Sequence, residues 1–259
     1  MGFAIAYEIE NGPVPAAGYL LSEDGLEHLT DAVRKILRDD TGVAEAWEAL
    51  RDLPKTSFAE GALRRVLAAP ESFDEWRVGE ALAEHHLTEV RGCMFPWPDS
   101  RSARNPNSSS GGVDILGFHN SDRVRFVFGE VKTSHEEKWP PQVVTSRSHG
   151  LQTQLSGIGA SDDRSRWGIR YLGMNSLGKP WHENFRSAMQ TYLENAKDVM
   201  IFGVLVHVTK PNMKDLKALS EALVELPTAG TTMELICLYV GAESLKTIAG
   251  GSILVETVL

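Results

Sequence analysis

Two hydrophobic periods, one helical and one of alternating positions, divide the 259-residue chain into elements. Phe3–Glu10 reads as a short strand, followed by a Gly/Pro-rich turn over residues 11–18. Behind Ser22, a good N-cap, the residues Leu26, Leu29, Val33 and Leu37 recur at helical spacing and predict a helix to about Arg38. Further helices are expected over 43–53 and over 57–68, the latter stopped by Pro70. A fourth, started by Ser72, runs over 73–89 with Trp76, Ala83 and Leu87 on its apolar side.

A strand is expected at 93–97, and residues 99–112, rich in Ser, Asn, Gly and Arg, read as an exposed loop. The clearest β signal follows. Val113–Phe118 and Arg123–Lys132 are apolar, β-branched runs separated by the turn-forming His119-Asn120-Ser121-Asp122, which predicts an antiparallel hairpin. Trp139-Pro140-Pro141 stops any continuation. Residues 150–157 read as a short helix or loop, and 162–180 show no single period. Beyond them the pattern predicts helix 181–196, buried strand 199–208, helix 213–226, strand 232–240 and a short helix at 243–249. Helices first, then a hairpin, then alternating helices and strands make the class α+β.

Composition removes several alternatives. The longest apolar run, residues 199–208, is about half the roughly 20 residues of a membrane span. The amino terminus lacks a basic region, and Glu8 and Glu10 interrupt its apolar stretch, so no signal peptide is expected. Two cysteines, Cys93 and Cys237, supply neither a disulfide framework nor a zinc spacing, and a reducing cytoplasm is the expected setting. Adjacent His85 and His86 point in different directions on a helix and read as surface residues rather than as a metal pair. Gly157-Ile158-Gly159 lacks what a phosphate-cradling loop needs, so no nucleotide cofactor is expected on this chain.

The net charge of −9 is unevenly spread. Residues 1–90 carry 18 acidic and 8 basic residues, whereas residues 91–259 carry 17 and 18. A polynucleotide is repelled by the first third and tolerated by the rest. The boundary expected on this basis sets an acidic docking or regulatory extension, residues 1–70, before a domain over 71–259.

Three charged residues conflict with the apolar hairpin. Asp114 opens its first strand, and Glu130 and Lys132 close its second, flanking Val131. With a side-chain period of two, Glu130 and Lys132 share a face, and folding at 119–122 brings Asp114 beside them. Two carboxylates held together repel unless a cation lies between them, and an all-oxygen set suits Mg²⁺ or Mn²⁺. Such an ion polarises a phosphoryl oxygen and acidifies a bound water, while Lys132 serves that water or the charge on phosphorus.

Gly112-Val113-Asp114, fifteen intervening residues, then Glu130-Val131-Lys132 resembles the signature of the PD-(D/E)XK nuclease superfamily, with Val where the proline is usually written. The likeness covers roughly residues 72–208. It implies a restriction-endonuclease-like αβββαβ core, Mg²⁺-dependent hydrolysis of DNA, and metal ligation by Asp114, Glu130 and the Val131 carbonyl. It further implies a helical Glu, matched by Glu80, and a polar residue on the following helix, matched by Gln152 or Gln154. Glu75 and Glu84 lie on the same helix as Glu80, so a solvated acidic face is the competing explanation there. A narrower likeness is to HamA-like nuclease subunits of Hachiman-type antiphage systems, which implies a helicase or other ATPase partner.

Around the hairpin, Arg101, Arg104, Lys138 and Arg147 are candidates for phosphate contact, the first two on the loop leading into Asp114. The alternative is a non-catalytic module of the same fold that grips nucleic acid or a protein partner without metal.

Overall fold

The computed structural model of the chain describes residues 2–98, 101, 112–160, 162–226 and 230–250. In chain order the elements are β1 (Phe3–Ile9), β2 (Ala16–Leu21), α1 (Leu26–Arg38), α2 (Asp40–Leu50), α3 (Ser57–Leu67), α4 (Glu75–Arg91) and β3 (Cys93–Met94). There follow β4 (Ile115–Asn120), β5 (Val124–Ser134), α5 (Gln142–Thr145), α6 (Leu151–Ala160), α7 (Asp162–Ser176) and α8 (His182–Glu194). The chain continues through β6 (Met200–His207), α9 (Lys214–Ala222), β7 (Thr232–Tyr239) and α10 (Ala242–Ala249).

Every residue of β6 is buried, as its unbroken apolar sequence requires of a strand covered on both faces. It lies at the centre of a seven-stranded mixed sheet, ordered β1-β2-β7-β6-β5-β4-β3. Strands β2, β7, β6 and β5 run parallel, while β1 is antiparallel to β2 and β3–β4–β5 form an antiparallel meander. Alternate side chains feed two cores. Val127, Val131, Val204 and Val206 pack with α1, α4 and α10 on one face, and Phe126, Phe128, Leu205 and Leu235 pack with α6 to α9 on the other. The class is therefore mixed α/β, with helices on both faces of one sheet.

Two elements differ from the sequence expectation. Residues 16–21, assigned in part to a turn, form the buried strand β2, which pairs with β7 more than two hundred residues away. Residues 162–176, without a clear period, form α7. Within residues 1–70, β1 and β2 complete the sheet and α1 packs on α4 and α10. Arg91 at the end of α4 clasps Glu234 of β7 and donates to the Tyr19 hydroxyl at 3.0 Å, tying β2 to this layer. By contrast, α2 and α3 contain no buried residue.

Close strand packing demands glycine at position 129, directly before Glu130. A Cβ there would lie 2.8 Å from the Phe202 carbonyl oxygen and 3.1 Å from Ile115 Cβ, and backbone cannot move aside cheaply. Gly129→Ala is expected to destabilise the fold by about 1–3 kcal/mol, read from the denaturant midpoint. Gly61→Ala on α3, where the nearest atom is the Arg65 guanidinium at 3.7 Å, should instead be neutral or stabilising by up to about 1 kcal/mol.

Candidate active site

Strand β4 stops where β5 goes on. Their last pair is Ile115 with Gly129, closed by the Asp114 N–H donating to the Gly129 carbonyl at 3.0 Å. Beyond it, residues 130–134 of β5 still pair with β6 on one side. On the other side the Val131 N–H has lost its strand neighbour and donates instead to Asp114 Oδ2 at 2.9 Å. The Asp114 carboxylate thus takes the position of a ladder partner and is fixed beside Glu130.

Glu130 is 5% exposed, a depth at which a carboxylate needs a partner. Lys132, two residues on and on the same face, supplies it: its ammonium donates to Glu130 Oε1 at 2.6 Å. Burial first, and then the Glu130 charge, raise the Asp114 pKa to about 7, against the opposing pull of the Val131 N–H and Lys132. Expected from the hairpin pattern, the convergence of Asp114, Glu130 and Lys132 at one end of the ribbon is what the structure contains.

Helix α4 completes the surroundings. Gly79 approaches β5 so closely that a Cβ would meet Thr133 Oγ1 at 2.2 Å. This contact sets the next residue, Glu80, over a small cavity of about 40 Å³ that it lines together with Asp114, Arg77 and Glu84. Glu84, counted in the sequence with a solvated face, therefore borders the same cavity. Glu75, its other companion, meets His135 Nε2 at 2.6 Å and links the start of α4 to the segment after β5.

The remaining candidates are more spread out. Gln152 is half-buried on the first turn of α6, a helix packed on β5 and β6, and its backbone carbonyl accepts from Ser156. Gln154 accepts from Arg164. Lys138 and Arg147 are exposed on the segment 135–150 that leaves β5. Arg101 grips Asp39, and Arg104 lies outside the described residues. His86, read as a surface residue, is buried between the rings of Phe3 and Tyr19, and burial first, then Arg91, lowers its pKa to about 4.

A buried anchor behind the site was not foreseen. His207 ends β6, with Nδ1 3.1 Å from Asp215 Oδ2 and Nε2 2.8 Å from the Glu136 carbonyl. Burial opposes its charge, but two acceptors outweigh it and raise the pKa. The pair fixes Glu136, where the chain turns away from β5 towards Lys138. Tyr239 donates to the same Asp215 oxygen at 2.7 Å. A lone His at the end of an apolar strand carries no sequence signal of such a partner.

Among the described residues no group of three or more His, Cys, Asp or Glu side chains is gathered as a metal cage. The donors present are two adjacent carboxylates, the Val131 carbonyl and, across the small cavity, Glu80. An oxygen-only set with one or two carboxylates fits Mg²⁺, which keeps several waters and takes further ligands from a substrate phosphate. Neither a family model nor a curated protein matches the sequence.

A carboxyl whose folded pKa exceeds its unfolded value costs stability as pH rises from about 4 to about 7, and that cost then stays constant. Asp114→Asn keeps an acceptor for the Val131 N–H and removes the charge. In EDTA it should stabilise the protein at pH 8 by on the order of 1–3 kcal/mol, with the gain vanishing near pH 4. Thermal unfolding of both proteins across that range checks it. A pH-independent difference would contradict the placement of Asp114 against Glu130.

Proposed function

We propose that this chain is a divalent-metal-dependent nuclease that hydrolyses DNA phosphodiester bonds, with a PD-(D/E)XK-type core. The observation that carries the reading is the Val131 N–H to Asp114 Oδ2 bond, which gathers Asp114, Glu130 and the Val131 carbonyl at one strand end beside the Lys132 ammonium. The order α4, β3–β4–β5, α6, β6, with β5 and β6 parallel, supports it as an αβββαβ arrangement.

Asp114, Glu130 and the Val131 carbonyl would hold Mg²⁺ or Mn²⁺, with Glu80 assisting from α4. When bound, the ion neutralises a phosphate oxygen and acidifies a water. The water oxygen would form the new bond to phosphorus and give up a proton to solvent, while the bond from phosphorus to the leaving deoxyribose oxygen breaks and that oxygen takes a proton from solvent. Lys132, paired with Glu130, would stabilise the negative charge that accumulates on the phosphoryl oxygens in the transition state. Exposed Lys138 and Arg147 on the segment after β5 suit backbone phosphate contact.

The likeness to Hachiman-type subunits extends the proposal to an antiphage effector working with a helicase or other ATPase. The α2–α3 pair, without a buried residue, is a surface for such a partner.

The test is incubation of the purified chain, with and without a co-expressed operon neighbour, on plasmid and linear DNA in Mg²⁺, Mn²⁺ or EDTA. Cleavage is expected with metal only, and Lys132→Met should lower its rate about a hundredfold or more. Loss of cleavage in Glu130→Ala/Lys132→Ala is likewise expected, and cleavage surviving in that variant would refute the assignment. DNA binding unaffected by EDTA, with no cutting under any condition, would favour the non-catalytic binding module.

A further inference from the structure

Next to the small cavity of Glu80 and Asp114 lies a cleft of about 620 Å³, and the two share Ile36, Glu84 and Pro98 as walls. Two cations from distant parts of the chain meet in this cleft over one indole. The Arg101 guanidinium stands 5.0 Å from the Trp97 ring and the Lys179 ammonium 5.7 Å from it. Like charges brought over one ring repel unless anions accompany them. The anions come from the acidic amino-terminal part. Asp39 takes Arg101 in a two-pronged fork, Nε to Oδ2 at 2.6 Å and Nη2 to Oδ1 at 2.8 Å, and Glu45 accepts from Lys179 at 2.8 Å.

The corner between α1 and α2 is shaped for this contact. Asp39 has φ 49° and ψ 51°, the left-handed region, and is the one non-glycine residue with positive φ among the described residues. There its side chain caps α2, accepting from Gly42 N at 3.1 Å, while it receives the Arg101 fork. Gly42 leaves the room: a Cβ would lie 2.1 Å from Asp39 Oδ2 and 2.8 Å from Arg101 Nε. With no buried residue on α2, ion pairs rather than packing carry much of what holds this corner down.

We propose that Arg101 and Lys179 form a phosphate-binding mouth to the Asp114–Glu130 site, and that Asp39 and Glu45 occupy it in the free protein as carboxylate stand-ins for polynucleotide phosphates. The proposal rests on the nuclease reading and names its regulation. A guanidinium fork that grips a carboxylate in two places grips a phosphate in the same way. A polynucleotide must then displace the α1–α2 corner to reach the carboxylates, and a partner that draws α2 away opens the same mouth.

Binding in EDTA, where nothing is cut, tests this with a short labelled DNA duplex and the matching single strand, read by fluorescence anisotropy. Asp39→Asn/Glu45→Gln removes the competing charges, and Asn preserves both the cap and the left-handed backbone. Gly42→Ala leaves every charge in place and breaks the fork by contact alone. Each should tighten binding about tenfold or more, with a salt dependence steeper by one to two counterions. Glu221→Gln/Glu225→Gln, an equal charge change at exposed positions on α9 and in the turn after it, should give a clearly smaller effect. Adding Arg101→Gln/Lys179→Gln to the first variant should abolish its gain. The proposal is overturned if the wild-type protein binds DNA and Gly42→Ala tightens nothing, or if Glu221→Gln/Glu225→Gln matches Asp39→Asn/Glu45→Gln. If neither the wild-type protein nor any variant binds either DNA, the nuclease reading itself fails and the mouth with it.

Discussion

The hydrogen bond from the Val131 N–H to the Asp114 carboxylate is the constraint on which the candidate site depends. It exists because β4 ends at Ile115 and β5 continues to Ser134, leaving a strand edge that a side chain can enter. An unpaired backbone donor and an unpaired buried acid each cost free energy, and one contact relieves both. The same contact places Asp114 against Glu130, whose burial is in turn compensated by Lys132. Behind them stands a stiff scaffold: β5 is zipped in parallel to β6 as far as His207, and the His207–Asp215 pair fixes the chain where it leaves β5.

Much of this was legible because it is local. The hairpin lies within about twenty residues, its period assigns Glu130 and Lys132 to one face, and its turn sets Asp114 opposite them. Helices α1, α4, α8 and α9 and strands β6 and β7 follow their periodicities in the same way. Long-range pairing hid the rest. Strand β2 contains glycine and follows Pro13 and Pro15, so it resembles a turn until its pairing with β7 is known. Helix α7 carries Gly168 and Gly173 and leaves Trp167 exposed, which blurs the apolar stripe. His86 looked like a surface residue because its neighbours Phe3 and Tyr19 arrive from the other end of the sheet order.

The segregated charge of the sequence acquires a structural meaning. The acidic first third does not hang free of the domain: β1, β2 and α1 belong to its layers, and the α1–α2 corner sets two of its carboxylates on Arg101 and Lys179. Arg101 was singled out in the sequence as a phosphate contact, but the anion it holds in the free protein is Asp39, a residue with nothing in its own neighbourhood to announce the pairing. Opposite charges that are far apart in sequence thus share one cleft, and on the proposed reading access to the site depends on the position of the amino-terminal helices.

The central claim is that Asp114, Glu130 and the Val131 carbonyl surround a hard divalent cation. Anomalous diffraction from crystals of the protein grown with Mn²⁺ addresses it most directly. The account predicts one anomalous peak within about 2–2.5 Å of oxygens from all three residues, lost in Asp114→Asn. A well-occupied peak elsewhere with none between these groups, or an intact Lys132–Glu130 pair with only water beside Asp114 at saturating Mn²⁺, would contradict it.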